Sequence, residues 1–216
     1  MEKYHDYREL MKEEEEGKTY KIQLRHGKSD TLVIAPHGGG IEPGTTEIAD
    51  AVAGNEHGFY SFEGIKIRQN LDLHITSRHF NEPLGINMAE NSRTILAIHG
   101  CRGEKPIVYI GGRDTILKEK IKGSLKAAGF EVQVHPRFPG LNPSNVCNRS
   151  RTLKGVQLEI TEGLRRLILK DLSRTKRKTT THLFDDFVTA LRTALTAPGS
   201  RQKDFSSDRA GERINT

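Results

Sequence analysis

TLVIAPHGGGIEPGTT, residues 31–46, is the stretch that decides the fold of this chain. Its aliphatic run from Leu32 to Ala35 predicts a short buried strand. A histidine, three glycines and a glutamate follow directly after that run. In α/β proteins the carboxyl ends of the strands carry the groups that bind ligands. The pattern therefore places His37 and Glu42 where such a protein presents its chemistry.

Strand-like and helix-like segments alternate along most of the chain. We predict strands at 19–24, 32–35, 59–62, 71–75, 94–99, 107–110, 130–134 and 156–160, and helices at 4–16, 42–54, 114–129, 163–172 and 181–195. This interleaving indicates an α/β fold, a three-layer sandwich with a mixed, mostly parallel sheet flanked by helices.

The length and composition fit one domain followed by a polar tail. Of the 216 residues, we expect 1–196 to form a single α/β domain and 197–216, which are almost free of aliphatic side chains, to be disordered. No apolar run approaches the roughly 18 residues that cross a bilayer. The charged N-terminus lacks the apolar core of a signal peptide, so we expect cytoplasmic synthesis.

The chain carries an excess of positive charge. Lys and Arg number 34 against 28 Asp and Glu, a net charge of +6, and the excess is concentrated between residues 149 and 178. A basic stretch of this kind favours a polyanionic partner, which could be a nucleic acid, an anionic membrane or an acidic polymer. The charge alone does not separate these three.

A second apolar run, from Thr94 to Ile98, also ends in a histidine, His99. Two histidines and one carboxylate are a common ligand set of catalytic zinc sites. The three glycines allow a tight turn between His37 and Glu42, and a helix beginning at Pro43 would favour an ionised glutamate. Taken singly, each residue has a structural explanation at a strand end or a helix start, but together they predict a zinc-dependent hydrolase.

Glu159 ends another apolar run, within GVQLEIT. A carboxylate among apolar neighbours is costly unless it meets solvent, a partner or a reacting group. We predict that Glu159 is the general base, and the alternative is a surface position on an edge strand.

Polar loops supply candidates for substrate binding. Arginine holds carboxylates in bidentate pairs and asparagine adds a neutral donor, so Asn148, Arg149 and Arg151 predict a carboxylate site. His79, or Arg78 beside it, would line the same cleft. Solvated loop side chains remain the alternative for the arginines and for His79.

Several familiar catalytic motifs do not occur. No serine stands in a G-x-S-x-G elbow, although HGGG is also found in the oxyanion holes of lipases. The chain also lacks the phosphate-binding loop G-x-x-x-x-G-K-[ST], the dinucleotide motif G-x-G-x-x-G and the zinc-protease motif H-E-x-x-H.

Taken in order, these motifs resemble the phage poly-γ-glutamate hydrolases and their bacterial homologues. The resemblance runs from about Tyr7 to Leu172 and rests on APHGGGIEPGTTEIA, HITSRHFNEP, AIHGC, YIGG, NVCNR and GVQLEIT. It implies a fold similar to zinc carboxypeptidases and cleavage of γ-amide links. It also implies that His37, Glu42 and His99 bind zinc, that Glu159 is catalytic, and that Asn148 and Arg149 bind a carboxylate.

The sequence also departs from the digestive carboxypeptidases, which place two residues between the first histidine and the glutamate. Here four residues separate His37 from Glu42, so the exopeptidase specificity of those enzymes is not implied.

The hypothesis is a zinc-dependent amidohydrolase acting on poly-γ-glutamate, favoured as a monomer, with no nucleic-acid or membrane partner. Its action on extracellular polymer would follow cell lysis. One alternative is a zinc deacylase of small substrates, similar to aspartoacylase and succinylglutamate desuccinylase. The other is a basic nucleic-acid-binding protein without catalysis, although no aromatic residues interleave the basic stretch as stacking platforms.

Overall fold

The computed structural model describes residues 2–135, 137–177 and 179–196. The strands are β1 Tyr20–Arg25, β2 Thr31–Gly39, β3 Gly58–Gly64, β4 Thr94–Cys101, β5 Ile107–Gly112, β6 Glu131–Gln133 and β7 Val156–Thr161. The α-helices are α1 Tyr7–Glu13, α2 Thr45–Ala53, α3 Pro83–Asn91, α4 Thr115–Ala127, α5 Glu162–Ile168 and α6 His182–Leu195. Two 3-10 helices span Asn70–Leu73 and Val146–Asn148. The predicted disordered tail lies outside the described residues.

The strands form one seven-stranded sheet in the order β1-β3-β2-β4-β7-β5-β6. Its four central strands, β3, β2, β4 and β7, run parallel to one another. β1 is antiparallel to β3, β5 is antiparallel to β7, and β6 runs parallel to β5. The prediction of a mixed, mostly parallel sheet is confirmed.

Both faces of the sheet are covered, because successive side chains of a strand point to opposite faces. Val33 and Ala35 of β2 pack into one hydrophobic layer with α2, α4, α5 and α6. Leu32 and Ile34 pack into the other layer with α1 and α3. The molecule is therefore the three-layer sandwich that the sequence indicated. Within the described residues, no helix combines the length and the apolar character needed to cross a membrane.

The predicted strand at 71–75 is wrong. Its alternating pattern belongs to a 3-10 helix, Asn70–Leu73, which is entered through Gln69 at φ 59°. β3 already pairs with β1 on one side and β2 on the other, so this segment has no free strand edge beside it. Its apolar residues are buried in the core without joining the sheet, Leu73 and Ile75 being at most 2% exposed.

Helix α3 was not among the predicted elements. Its N-cap is Glu82, whose carboxylate accepts hydrogen bonds from the backbone of Leu84 and Gly85. Serine, threonine, aspartate and asparagine are the usual N-cap residues, so Glu82 is a weak start signal, and the stronger one is Pro83 at the first helical position. The helix packs Met88 and Ala89 into the core.

Candidate metal centre and active site

Three side chains converge at the carboxyl ends of β2 and β4. The Nδ1 atom of His37 lies 3.1 Å from the Nδ1 atom of His99 and 3.1 Å from Oε1 of Glu42. The Nδ1 atom of His99 lies 3.7 Å from Oε2 of Glu42. Both histidines are only 2% exposed, and one ligand atom from each residue lies within 4.8 Å of the others. The fold thus brings together the three predicted zinc ligands.

The glycines after His37 permit this convergence. A Cβ atom on Gly38 would lie 2.3 Å from the hydroxyl oxygens of Ser61 and Thr46, so a side chain does not fit there. The turn closes where the backbone N–H of Glu42 donates to the His37 carbonyl at 2.9 Å. Two ligands five residues apart can therefore face the same point.

Glu42 does not lie in the first turn of α2, and Pro43 does not begin that helix. α2 starts at Thr45, after an N-cap glycine, Gly44, at φ 98°. The Glu42 carboxylate is instead held by the backbone N–H of Gly100, which donates to Oε2 at 2.8 Å. A contact from β4 thus replaces the helix dipole that the sequence suggested.

The hydrogen bonds of the two histidines indicate which ring nitrogens face the centre. Nε2 of His37 lies 2.7 Å from the carbonyl oxygen of Ile75, which can only accept a hydrogen bond, so Nε2 carries the proton and Nδ1 offers a lone pair. Nε2 of His99 contacts the Ser77 hydroxyl at 3.3 Å. Two ring nitrogens and a carboxylate facing one point form a donor set that fits zinc.

The charges of the cluster influence one another. Burial raises the pKa of Glu42, but the charges and hydrogen bonds of His37 and His99 outweigh it and hold this pKa far below its usual value. Burial lowers the pKa of His99, yet its hydrogen bond to Glu42 and the nearby Glu159 carboxylate raise it overall. The carboxylate is therefore ionised and ready to coordinate a cation.

Glu159 lies beside this cluster. On β7 it is in register with His99 of the parallel neighbour β4. Its side chain lines a cavity of about 650 Å³ that also contains His37, Glu42 and His99. Burial, together with the charge of Glu42, raises the pKa of Glu159. A buried carboxylate with a raised pKa beside such a cluster is able to accept a proton.

Two arginines, Arg78 and Arg137, line the same cavity. The sequence predicted that either Arg78 or His79 lines the cleft. It gave no indication that Arg137 does. His79 is not part of this lining; its ring packs against that of His5 with centroids 4.0 Å apart. Of the two neighbours in SRH, the structure brings the arginine to the site.

The predicted carboxylate-binding residues lie around a neighbouring groove of about 610 Å³. Arg149 pairs with Glu90 at 2.7 Å, and Arg151 pairs with Asp30 at 2.6 Å. Arg78 lines both this groove and the cavity of the metal cluster, and so connects them.

Asn148 lies in the wall of that groove, but its amide is fully occupied. Its side chain donates to two backbone carbonyls and accepts from two backbone N–H groups. A direct contact between this amide and a substrate is therefore not supported by the geometry.

Sequence reasoning missed His74. Its ring lies against that of His37, with centroids 4.0 Å apart, and its Nε2 atom is 3.7 Å from Oε1 of Glu42. Nδ1 of His74 contacts the Glu2 carboxylate at 3.0 Å. The charge of His37, followed by burial, lowers the pKa of His74 to about 4. In the sequence His74 is marked only by its place in HITSRH, and the same segment contains His79, so the pattern does not tell the two histidines apart.

Arg165 was visible only as one member of the basic stretch. Its guanidinium donates to the carbonyls of Ile160 at 3.1 Å, Pro43 at 2.5 Å and Cys101 at 3.1 Å. These carbonyls belong to β7, to the turn after Glu42 and to the end of β4. Arg165 thus ties together the three segments that surround the cluster.

Comparison with known proteins places this geometry in a family. The model of a family described as poly-gamma-glutamate hydrolase matches residues 4–190. The UPF0714 protein YndL of Bacillus subtilis (strain 168) is 35% identical over 181 residues, which are 82% of this chain and 71% of that protein. The SPbeta prophage-derived UPF0714 protein YoqZ of the same organism is 34% identical over 194 residues, 88% of this chain and 70% of that protein.

Two solved structures share the fold. One is described as a bacteriophage poly-gamma-glutamate hydrolase and superposes with a TM-score of 0.87 at 32% identity, covering 90% of this chain and 96% of that one. The other is described as zinc-free YNDL and superposes with a TM-score of 0.86 at 32% identity, covering 90% of this chain and 98% of that one. The chain belongs to the poly-gamma-glutamate hydrolase family.

Proposed function

We propose that this protein is a zinc-dependent hydrolase that cleaves the γ-glutamyl amide bonds of poly-γ-glutamate. His37, Glu42 and His99 hold the zinc, and Glu159 is the general base. The observation that carries the proposal is the convergence of two histidine Nδ1 atoms and the Glu42 carboxylate at the floor of a cavity. The name of the matched family and the description of the YNDL structure as zinc-free support it.

A zinc ion held by His37, Glu42 and His99 would supply a Lewis acid for the scissile carbonyl and would lower the pKa of water. Glu159 takes the proton of the attacking water and returns it to the leaving nitrogen, a role worth typically 10²–10⁴-fold in rate. The raised pKa of Glu159 suits this role, because a stronger base accepts the proton more readily. His37 Nε2 donates to the backbone carbonyl of Ile75, and His99 Nε2 contacts the Ser77 hydroxyl, so both histidine rings are held in orientation.

The substrate fits the charges of the cavity. Each γ-linked glutamate leaves its α-carboxylate free, so the polymer is a regular polyanion. Arg78 and Arg137 line the cavity of the metal cluster and can pair with these carboxylates. Arg149 and Arg151 line the adjoining groove and can contact the chain farther from the cut. Electrostatic attraction of this kind weakens as salt is added.

The test is to incubate zinc-loaded protein with poly-γ-glutamate and to follow the chain length of the polymer. We expect shortening that stops on chelation, returns with zinc and is lost in Glu159→Gln. Full activity of the metal-free protein, or of Glu159→Gln, would refute the proposed mechanism. An intact polymer together with release of a small acid from an acylated amino acid would favour the deacylase instead.

A further inference from the structure

We infer that Asn148 and Gln157 are positioning residues that hold segment 137–142 as one wall of the cavity, and thereby set how tightly the polymer binds. The inference rests on the proposed function, because it assumes that the substrate occupies this cavity. Asn148 is not part of the cavity lining, whereas Gln157 is part of it but uses its amide on Asn145 and Phe138, and the segment itself carries the side chains that face the polymer. Both amides act through the backbone of this segment.

Asn148 is the central anchor. It is only 1% exposed. Its Nδ2 group donates to the carbonyls of Gly140 at 2.7 Å and Asn142 at 2.9 Å. Its Oδ1 atom accepts from the backbone N–H groups of Arg113 and Gly155, each at 3.2 Å. All four hydrogen-bonding positions of the amide are thus used to join the segment to the ends of β5 and β7.

Gln157 provides a second anchor, on the strand that carries Glu159. Gln157 and Glu159 are two residues apart on β7 and therefore project from the same face of the sheet. The Gln157 side chain donates to the carbonyl of Phe138 at 3.3 Å and accepts from the Asn145 amide at 2.8 Å. The segment and the proposed general base are thus held by one strand.

The backbone of the segment lies in close contact with glycines at the end of β5. The carbonyl of Pro139 accepts from the N–H of Gly112 at 2.9 Å. A Cβ atom on Gly111 would lie 2.6 Å from that carbonyl oxygen. Gly140 has φ +66°, and a Cβ atom there would lie 2.7 Å from Cδ of Gln157 and 2.8 Å from the N atom of Gly112. The position of the segment is therefore set by close contacts as well as by hydrogen bonds.

The side chains of segment 137–142 match the chemistry of the polymer. Arg137, Phe138 and Leu141 all line the cavity. Phe138 is 51% exposed and Leu141 is 54% exposed, although both are apolar. A γ-linked glutamate offers two methylene groups and a carboxylate, which pair with the apolar side chains and with the guanidinium respectively. In this proposal the wall binds the repeating unit, and the metal cluster acts on the amide bond.

The experiment displaces the segment in two independent ways in the zinc-loaded protein. Asn148→Asp removes the two donors, and Gly140→Ala places a Cβ atom against Gln157 and Gly112. Gly129→Ala is the matched control, because Gly129 also has positive φ, +87°, but a Cβ atom there meets nothing within 4 Å. The readouts are KM and kcat on poly-γ-glutamate, zinc affinity by calorimetry, and the rate of tryptic cleavage after Arg137.

For both test variants we expect KM to rise by about tenfold, the effect of losing roughly one hydrogen bond or close contact, while kcat stays within about twofold. Tryptic cleavage after Arg137 should accelerate, and zinc affinity should match the parent. The Gly129→Ala control should match the parent in all four readouts.

Parent-like KM and parent-like resistance to trypsin in both variants would overturn the inference. A loss of zinc affinity would overturn it as well, because the two residues would then act at the metal cluster. If Asn148→Asp fails to fold, Gly140→Ala still tests whether the position of segment 137–142 sets KM. If the parent does not shorten the polymer, the proposed function fails, while trypsin still reports whether the anchors hold the segment.

Discussion

Two buried polar clusters flank the carboxyl end of β2, and they differ in how their hydrogen-bonding groups are matched. In one, Arg177 donates to the Glu47 carboxylate at 2.6 Å and to the Gly39 carbonyl at 2.9 Å. In the other, two residues away along the strand, Nδ1 of His37 lies 3.1 Å from Nδ1 of His99 and 3.1 Å from Oε1 of the Glu42 carboxylate. The first cluster pairs a guanidinium with a carboxylate within the chain, although Oε2 of Glu47 finds no hydrogen-bond partner among the described residues, whereas the second brings nitrogen and oxygen ligand atoms together as a cation requires.

Burial of polar groups does not by itself mark a functional site. Both clusters are buried, the side chains of Arg177 and Glu47 being 9% and 17% exposed and those of His37 and Glu42 3% and 11%. Matched donors and acceptors stabilise a fold, because each group regains the partner that it lost in water. Convergent acceptors are costly unless something binds between them. The direction of the lone pairs therefore separates the two roles.

The largest expected effect concerns the cluster of His37, Glu42 and His99. His99→Ala should abolish zinc binding and reduce hydrolysis below detection, because it removes one of three ligands. In the parent, free zinc at 100 times its Kd should stabilise the fold by about 2.7 kcal/mol, or raise Tm by roughly 5–10 °C. The variant should show no zinc-dependent shift by calorimetry. His182→Ala, an exposed histidine on α6, is the control, and a parent-like zinc shift in His99→Ala would contradict the assignment.

The next effect separates binding of the metal from catalysis. Glu159→Gln preserves the shape of the side chain but removes its ability to accept a proton, so kcat should fall by about 10²–10⁴-fold. Zinc affinity should change little, because Glu159 is not one of the three converging ligands. Steady-state kinetics and zinc titration check the two halves of this expectation. A loss of zinc affinity as large as that of His99→Ala would place Glu159 among the ligands.

The matched cluster should respond in stability and not in chemistry. Glu47→Gln leaves the Arg177 guanidinium without its counter-charge, and we expect a loss of roughly 2–3 kcal/mol in the free energy of unfolding, less than for a fully buried pair. The exposed pair Arg166–Glu162 provides the control, since Glu162→Gln should cost at most about 1 kcal/mol. Denaturant unfolding measures both. A large loss of kcat in folded Glu47→Gln would contradict the purely structural role of the Arg177–Glu47 pair.

The smallest effect concerns a third polar group, Glu14, which accepts hydrogen bonds from Tyr4 at 2.8 Å and Lys66 at 2.5 Å. Burial raises the pKa of Glu14, but these hydrogen bonds outweigh it and hold the pKa below 4.5. Because the folded pKa is depressed, the stabilisation is present above the unfolded pKa and is lost as the pH falls through the folded pKa.

Glu14→Gln should therefore lose about 1 kcal/mol at neutral pH, or a few degrees in Tm. The difference from the parent should shrink once the pH falls below about 4.5. Thermal unfolding between pH 3 and pH 7 checks this expectation. A difference that stays constant across that range would show that packing, and not charge, stabilises this position.

Much of the fold was readable from local pattern. The apolar runs that contain or precede His37, His99 and Glu159 lie in the central parallel strands β2, β4 and β7, because buried strands need largely apolar side chains. Asp114 indeed caps α4, accepting from the backbone of Leu117. The prediction failed where the local sequence pattern disagreed with the tertiary surroundings. The alternation at 71–75 looked like a strand, but no sheet edge was free beside it.

The candidate site was readable in part for the same reason. His37 and His99 follow strands that the sequence reveals, and parallel strands bring their carboxyl ends to one edge of a sheet. Arg137 and His74 lie in connections whose path over the site depends on the packing of the whole molecule. The side chain of Asn148 looked like a free donor in the sequence, and only its backbone partners reveal that it is occupied.

The sequence by itself determined most of the strands and helices, the family, and the residues that can coordinate a metal, because these depend on apolar periodicity and on side-chain chemistry. The tertiary structure decided how those residues are used. It selected Nδ1 of His37 as the atom facing the centre, through the carbonyl of Ile75, and it supplied Gly100 to hold Glu42. Both contacts join residues far apart in the chain, and hydrogen-bond direction across such distances is set only when the layers pack together.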